Sequence, residues 1–385
     1  MQLAILGRQN KLGLAELESL LGAEAVTPVG DCAALLTHTA DGARLGGTMR
    51  IATPLHELPT TSWQTVAQHL ERQLPHYLAD IPDGKIKLGI SVFGIDINER
   101  QLFATGLSLK KIARAGGRSL RLIPNTGPEL NSAQVLNNKL IGDLGIELLV
   151  VKNNASTWIA RTTWVQDVDD YAQRDFGRPK RDAFVGMLPP KLAQIMLNLA
   201  QARAEQVILD PFCGTGVVLQ EAALFGVHSV GTDISEKMVD YSQQNMEWLT
   251  KTYNLPPHIS TILLGDATDH TWQQPIDHIV CETYLGQPLS GLPKPEKLAE
   301  IIQTCDTIIT KFLRNAAKQL KPGTRSVIAV PTWRVGNQFK HLGLLDHLEN
   351  LGYNRLRFKH ASDQDLIYHR ADQIVGRELL AVIRK

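Results

Sequence analysis

The chain has 385 residues, enough for two or three domains, and its 43% hydrophobic and 21% charged content is that of a globular protein. Its 40 basic and 39 acidic side chains leave a formal charge of +1. That balance excludes a global field as the means of holding a polyanion, so any nucleic-acid site must be a local patch.

Cys32, Cys213, Cys281 and Cys305 lie far apart and suggest neither a disulfide framework nor a metal knuckle. The twelve histidines form no His-x-x-x-His or Cys/His cluster, so no metal is expected. A reducing cytoplasm fits. The first twenty residues lack a basic segment followed by a long apolar run, and no run of eighteen apolar residues occurs. Neither a signal peptide nor a membrane span is expected.

Residues Gln2–Leu6 read as a strand. Leu14, Leu17 and Leu21 share one face of a short helix that Gly22 can end. Strand-like Cys32–Leu36 and Thr48–Ala52 follow, then a helix over Ser62–Leu74 with Val66 and Leu70 inward. This first unit, 1–74, is small and α+β, with no evident chemistry.

Lys85–Gly94 reads as a strand and Gly106–Gly117 as a helix, with Ser119–Ile123 following it. Lys110, Lys111, Arg114, Arg118 and Arg121 crowd into twelve residues, and no acidic side chain occurs from Gln101 to Pro128. Helical spacing puts Lys110, Lys111 and Arg114 on one face. Two readings stand: a phosphate-contacting surface, or a solvated basic helix without a ligand. A helix over Ser132–Leu140 and strands over Ile146–Lys152 and Thr157–Thr163 complete a second unit, 75–164.

A linker, 165–190, carries Tyr171, Arg174, Asp175, Arg178 and Pro179, then Gly186-Met187-Leu188-Pro189-Pro190. Pro189 and Pro190 can open a helix, because the N–H groups they lack have no partner in a first turn. Leu192, Ile195, Met196 and Leu199 give that helix an apolar face.

The last unit, 191–385, turns on EQVILDPFCGTG, Glu205–Gly216. Val207–Leu209 reads as a strand buried on both faces, with Asp210 at its end. A glycine-bearing turn and a helix with Val218, Ala222 and Phe225 on one face follow. Glycines let a backbone approach a ligand closely, and a strand-to-helix turn offers unpaired N–H groups. No Gly-Lys-Ser/Thr follows, so the turn is not a phosphate loop. Cys213 reads as a small packing residue in it. A second strand, Ser229–Thr232, ends at Asp233, about twenty residues on, where a carboxylate is placed to accept from ribose hydroxyls. A third, Ser260–Leu264, ends in Gly265-Asp266-Ala267. Strand four is expected over Asp277–Glu282, a long helix over Glu296–Leu320 and strand five over Arg325–Val330. A helix is expected over Phe339–Leu351, strand six over Asn354–Lys359 and a last antiparallel strand over Leu379–Ile383.

The acidic-Pro-x-x-G-x-G turn with its two acidic strand ends resembles class I S-adenosyl-L-methionine (SAM) methyltransferases, in the wording of those that modify exocyclic amines of nucleobases. The resemblance implies a Rossmann-like α/β domain. It assigns Asp210, Phe212, Gly214, Gly216, Asp233, Ile234, Asp266 and Ala267 to the cofactor. LSLKKIARAGGRSLRLIPN and LNSAQVLNNKL resemble the THUMP domain of tRNA-modifying enzymes. The linker and the closing YHRADQIVGREL resemble the tRNA guanosine-10 N2-methyltransferases of archaea and eukaryotes. That implies an N-terminal α+β region holding tRNA through Lys110, Lys111, Arg114, Arg118 and Arg121. It also implies a linker packed over the cofactor site, with Tyr171 and Arg174 in that role or as a clamp between domains.

In such enzymes strand four ends in Asp/Asn-Pro-Pro-Tyr/Phe. An acceptor side chain and a backbone carbonyl hold the amine hydrogens so that the lone pair faces the methyl group, and an aromatic ring stacks on the extruded base. Here the strand ends Cys281-Glu282-Thr283-Tyr284-Leu285-Gly286. Glu282 keeps a carboxylate one methylene further out, and Thr283 and Tyr284 stand for the prolines, whose fixed φ is lost. Glu282, Tyr284 and Thr283 are the expected catalytic set. The expectation is an N2-guanosine methyltransferase of tRNA, acting alone rather than with a small partner protein. The alternatives are methylation of another amine, such as adenine N6, or a catalytically silent tRNA-binding protein on the same fold.

Overall fold

The computed structural model describes residues 1–182, 187–257 and 259–385. Gly186 of the linker motif lies outside the described residues. The chain divides into two compact units. One is Met1–Leu14, Leu21–Ala43 and Gly47–Tyr171; the other is Ala15–Leu20, Arg44–Gly46 and Ala172–Lys385.

Up to residue 165 the elements are β1 (Gln2–Leu6), α1 (Asn10–Leu21), β2 (Val26–Val29), β3 (Ala33–Leu36), β4 (Thr48–Leu58), α2 (Trp63–Tyr77), β5 (Lys85–Phe93), α3 (Glu99–Ala115), β6 (Ser119–Leu122), α4 (Ser132–Asn137), β7 (Gly145–Asn153) and β8 (Ser156–Val165). Their strands make one eight-stranded sheet in the order β2-β3-β1-β4-β8-β7-β5-β6. The stretches expected as first and second units therefore share a sheet, joined where β4 runs antiparallel to β8. β4 is longer than its apolar pattern suggested. It continues past Pro54 because the register shifts between Pro54 and His56, a bulge that tolerates the missing N–H. α2 and α3 cover β5 and β7 with Val66, Leu70, Leu102 and Leu109. α3 starts earlier than expected, at a capping box in which Asn98 and Gln101 satisfy each other's backbone N–H groups. Glu147, fully buried on β7, is neutralised by Arg50 at 3.4 Å and accepts from Ser91 and Thr162 at 2.6 Å each.

The later elements are α5 (Val168–Phe176), α6 (Pro190–Leu199), β9 (Val207–Asp210), α7 (Val217–Leu224), β10 (His228–Asp233), α8 (Glu236–Tyr253), β11 (Ser260–Leu264), β12 (His278–Glu282), α9 (Pro295–Gln319), β13 (Arg325–Val335), β14 (Gln338–Lys340), β15 (Tyr353–Arg355), β16 (Ile367–Tyr368) and β17 (Val375–Arg384). The main sheet runs β11-β10-β9-β12-β13-β17-β15. Its first five strands are parallel, and β17 inserts antiparallel between β13 and β15. α9 buries Leu298, Ile301, Cys305, Ile309, Phe312, Leu313 and Ala316, a helical stripe that closes the core over β12 and β13.

Two expectations for this unit are corrected. Phe339–Leu351 is not one helix: β14 takes its start, and a 3-10 segment over Gly343–Leu351 is broken at His347. Phe339 instead pairs with Arg334 across the β13–β14 hairpin. Strand six is shorter than Asn354–Lys359, since the last ladder bond is the Leu356 N–H donated to the Ala381 carbonyl.

Candidate active site

The order of the parallel strands locates the site. From β9 the chain steps outward to β10 and β11, then returns to the other side of β9 as β12. Ligands of open α/β sheets bind beyond the carboxyl ends of the strands at such a reversal. Asp210, Asp233 and Glu282 stand at those ends on three neighbouring strands.

The turn after β9 is held from both sides. Asp210 Oδ1 accepts the Phe212 N–H at 3.1 Å, Cys213 N–H reaches the Thr232 carbonyl at 3.0 Å, and Gly214 N–H reaches Asp233 Oδ2 at 3.0 Å. Gly214 and Gly216 have φ of +50° and +82°, which a side chain resists. Their surroundings differ. A Cβ on Gly216 would lie 2.4 Å from Ser242 Oγ, whereas one on Gly214 meets nothing nearer than the Phe212 carbonyl oxygen at 3.9 Å. Gly216 is a packing glycine, and Gly214 faces open space. Cys213 is buried in the turn, and burial pushes its thiol well up, as suits a packing residue.

Around that space lie groups suited to a nucleoside. Asp233 accepts one backbone N–H on each oxygen, from Ser235 at 2.9 Å and from Gly214, and keeps acceptor capacity on both. Ile234 beside it is 72% exposed, a bare apolar surface fit for a flat ring. Asp266 accepts the Thr268 N–H at 2.8 Å, and Asn315 of α9 donates to the carbonyls of Ala267 and His270, fixing the loop after β11. Phe212 is wedged edge-on against Phe312, ring centroids 5.2 Å apart.

The linker reaches this turn through Asn245 of α8. Its amide donates to the carbonyls of Lys180 and Thr215 at 2.9 and 2.8 Å, and its oxygen accepts the Lys180 N–H. Arg174 donates to Glu221 of α7 at 2.9 Å, and Gln194 of α6 donates to the other oxygen at 2.8 Å. Arg174 is thus a buried clamp on α7. Tyr171 sits half-buried on α5. Arg178 is buried, with Nε and Nη1 lacking partners among the described residues. Its Nη2 lies 3.6 Å from Asp175 Oδ1, an ion pair within the linker.

At the end of β12, Glu282 Oε1 accepts from Arg377 Nε of β17. Burial raises the Glu282 pKa above the usual carboxylate range, and the Arg377 guanidinium opposes that rise. Asp210 is raised well above its usual range by burial, with Asp233 and Glu282 adding to the effect. Thr283 is buried and ties its N–H and its hydroxyl to the Ala329 carbonyl at 3.0 and 3.2 Å. It anchors the loop rather than facing a ligand. Tyr284 is 40% exposed at the loop's tip, where a ring can meet a base.

In the other unit, Lys110, Lys111, Arg114 and Arg121 are exposed. Arg118 instead donates to the carbonyls of Leu78, Ile81 and Pro82, pinning the turn after α2. α3 also borders a cavity of about 250 Å³ lined by Ile90, Arg100, Phe103, Leu122, Pro124 and Asn125.

Residues 178–339 match the family described as UPF0020, RMKL-like, methyltransferase domain. The structure of TrmN from Thermus thermophilus superposes with a TM-score of 0.56 at 17% identity, covering 100% of this chain and 99% of that one. The fold is that of a class I methyltransferase. Two curated relatives are the tRNA (guanine(10)-N2)-dimethyltransferases of Methanothermobacter thermautotrophicus and Pyrococcus abyssi. The first is 33% identical over 156 residues, 40% of this chain and 42% of the relative; the second is 29% identical over 184 residues, 46% and 53%. The chain thus spans about half the length of the curated relatives it matches.

Within this methyltransferase sheet, Arg377, Asn245 and Asn315 are the site residues that sequence reasoning missed. Only Arg377 left a trace, since Arg377-Glu378 interrupts an otherwise apolar strand. No helix among the described residues is long and apolar enough to cross a membrane.

Proposed function

We propose that the chain transfers a methyl group from SAM to the exocyclic N2 amine of a guanosine in tRNA, position 10 by the names of the relatives above. The observation that carries the reading is Glu282. A carboxylate stands at the carboxyl end of β12, beside the β9 turn, with an exposed tyrosine two residues on.

SAM, when bound, supplies a methyl group on a sulfonium, an electrophile that needs a nucleophile aligned behind it. The described residues fit that cofactor: open space at Gly214, acceptor oxygens on Asp233, apolar Ile234 and the pinned Asp266–Ala267 loop. A guanine amine is a poor nucleophile because its lone pair is delocalised into the ring. Glu282 accepts an amine N–H, turns the lone pair outward and takes up the proton released when the N–C bond has formed. Tyr284 stacks on the extruded base. Thr283 holds the backbone that the usual prolines would hold.

The region before residue 165 is read as the RNA-holding part, containing the THUMP-like stretch. Lys110, Lys111, Arg114 and Arg121 contact phosphate, while Arg118 braces the surface they stand on. The protein is read as acting alone, in the cytoplasm.

The test is transfer from labelled SAM to unmodified tRNA with nucleoside analysis of the product. N2-methylated guanosine is expected from the wild type, and none from Glu282→Gln, which still binds SAM. A different methylated nucleoside corrects the target. No incorporation, with both ligands bound, refutes the reading in favour of a binding protein.

A further inference from the structure

We propose that Arg377 is a positioning residue of the target-amine site, aiming and keeping ionised the Glu282 carboxylate in place of the two prolines that shape this loop in amine-directed methyltransferases. The inference rests on the reading of Glu282 given above. In a proline loop the acceptor is aimed by a fixed backbone. Here the backbone after Glu282 is tethered at Thr283 to Ala329, and the side chain has one more rotatable bond than an aspartate. An unrestrained glutamate would spread over several rotamers.

Arg377 removes that freedom. It lies on β17, opposite Pro331 of β13 and Tyr368 of β16, in a strand buried on both sides. Its side chain is 7% exposed and its Nε donates to Glu282 Oε1. Oε2 of Glu282 has no partner among the described residues, so one carboxylate oxygen is fixed and the other is left to accept. The next residue, Glu378, faces away. It accepts from Arg355 at 2.9 Å and is bonded to His341, so it does not compete for Arg377.

Ionisation is the second effect. Burial favours the protonated form of Glu282, and its charge in turn adds to the rise at the buried Asp210 of β9. Arg377 opposes the rise at Glu282 by its charge and its hydrogen bond. A carboxyl that kept its proton would offer a donor where the amine needs an acceptor. With Arg377 in place the carboxylate survives to lower pH; without it, the acid limb of activity moves up.

The experiment uses the full chain with Arg377→Lys and Arg377→Met. Three quantities are read: SAM affinity by calorimetry, kcat and KM for tRNA across pH, and the Glu282 carboxylate titration by carbon-13 NMR without ligand, assigned with Glu282→Gln. Expected for both variants are near-wild-type SAM affinity and tRNA KM, kcat lower by about 10- to 100-fold, and an upward shift of both the acid limb and the titration. The lysine variant, which keeps the charge, shifts less. Should Arg377→Met fail to fold, Arg377→Lys decides alone. Unchanged kcat, acid limb and titration in a folded variant overturn the proposal. A titration that shifts in the Arg377 variants while the wild type itself transfers no methyl group would instead refute the reading of function and leave the role of Arg377 toward Glu282 standing.

Discussion

Replacing Gly216 and Gly214 in turn by alanine separates packing from ligand space in the same turn. Both have positive φ, so each alanine carries the left-handed penalty of about 1–2 kcal/mol. Only Gly216 adds a collision, its Cβ falling 2.4 Å from the Ser242 oxygen, and an overpacked contact of that kind costs about 1–3 kcal/mol more. Gly216→Ala should therefore lower Tm by roughly 4–20 °C, and Gly214→Ala by roughly 2–8 °C, at 2–4 °C per kcal/mol. Calorimetric SAM binding should reverse the order. Gly214→Ala places a methyl group in the open space and loses tenfold or more in affinity, while folded Gly216→Ala binds nearly as before. A cycle with Ser242→Ala isolates the collision, and its coupling should return most of the extra cost. Additive effects of Gly216→Ala and Ser242→Ala would refute the collision, and wild-type SAM affinity in Gly214→Ala would refute the reading of that space.

Asp210 has a folded pKa raised above its ordinary value of 3.8 by burial, so its contribution to stability is full below that value and is lost as pH rises toward the folded pKa. Asp210→Asn, which keeps an oxygen for the Phe212 N–H, should then melt higher than wild type at pH 7 to 8, with the gap closing toward pH 4; parallel melting curves over that range would contradict this. The basic residues of the other unit should split into two kinds. Arg118→Ala removes donors to three carbonyls and should lower Tm. Lys110→Ala, Lys111→Ala and Arg114→Ala should leave Tm unchanged, weaken tRNA binding and each reduce its salt slope by somewhat under one unit, measured by fluorescence anisotropy against salt. Salt slopes equal to wild type would remove those three from the RNA surface.

The parts of the site that could be read in the sequence are those made locally. A strand end, a turn and a helix start lie within a dozen residues of one another, and the next strand ends 23 residues after the first, so Asp210, Gly214, Gly216 and Asp233 announce themselves by spacing. What could not be read depends on pairing at long range. Arg377 meets Glu282 across 95 positions of sequence, through the insertion of β17 between β13 and β15. Asn245 looked like any polar residue on a helix until its amide was found joining Lys180 to Thr215. Arg118 sat in the same charge cluster as Lys110 and Lys111, and only the fold shows that carbonyls consume it. β2 was missed because Val26–Val29 exposes its middle and carries Pro28, so its pairing with β3 decides it rather than its own pattern. The Phe339–Leu351 stretch has helical periodicity, and the hairpin with β13 overrode it.

The position of β17 has a consequence for how the protein comes into being. It is the last strand of its sheet to be synthesised, yet it occupies an interior place, with β13 on one side and β15 on the other. Those neighbours leave the ribosome earlier and must wait with open edges, or pair wrongly, until residues 375–384 arrive. Because the same strand delivers Arg377 to Glu282, the chemistry of the site is assembled only when that gap closes. A nascent chain halted before this point would hold most of the cofactor-turn residues and still lack the contact that aims its acid.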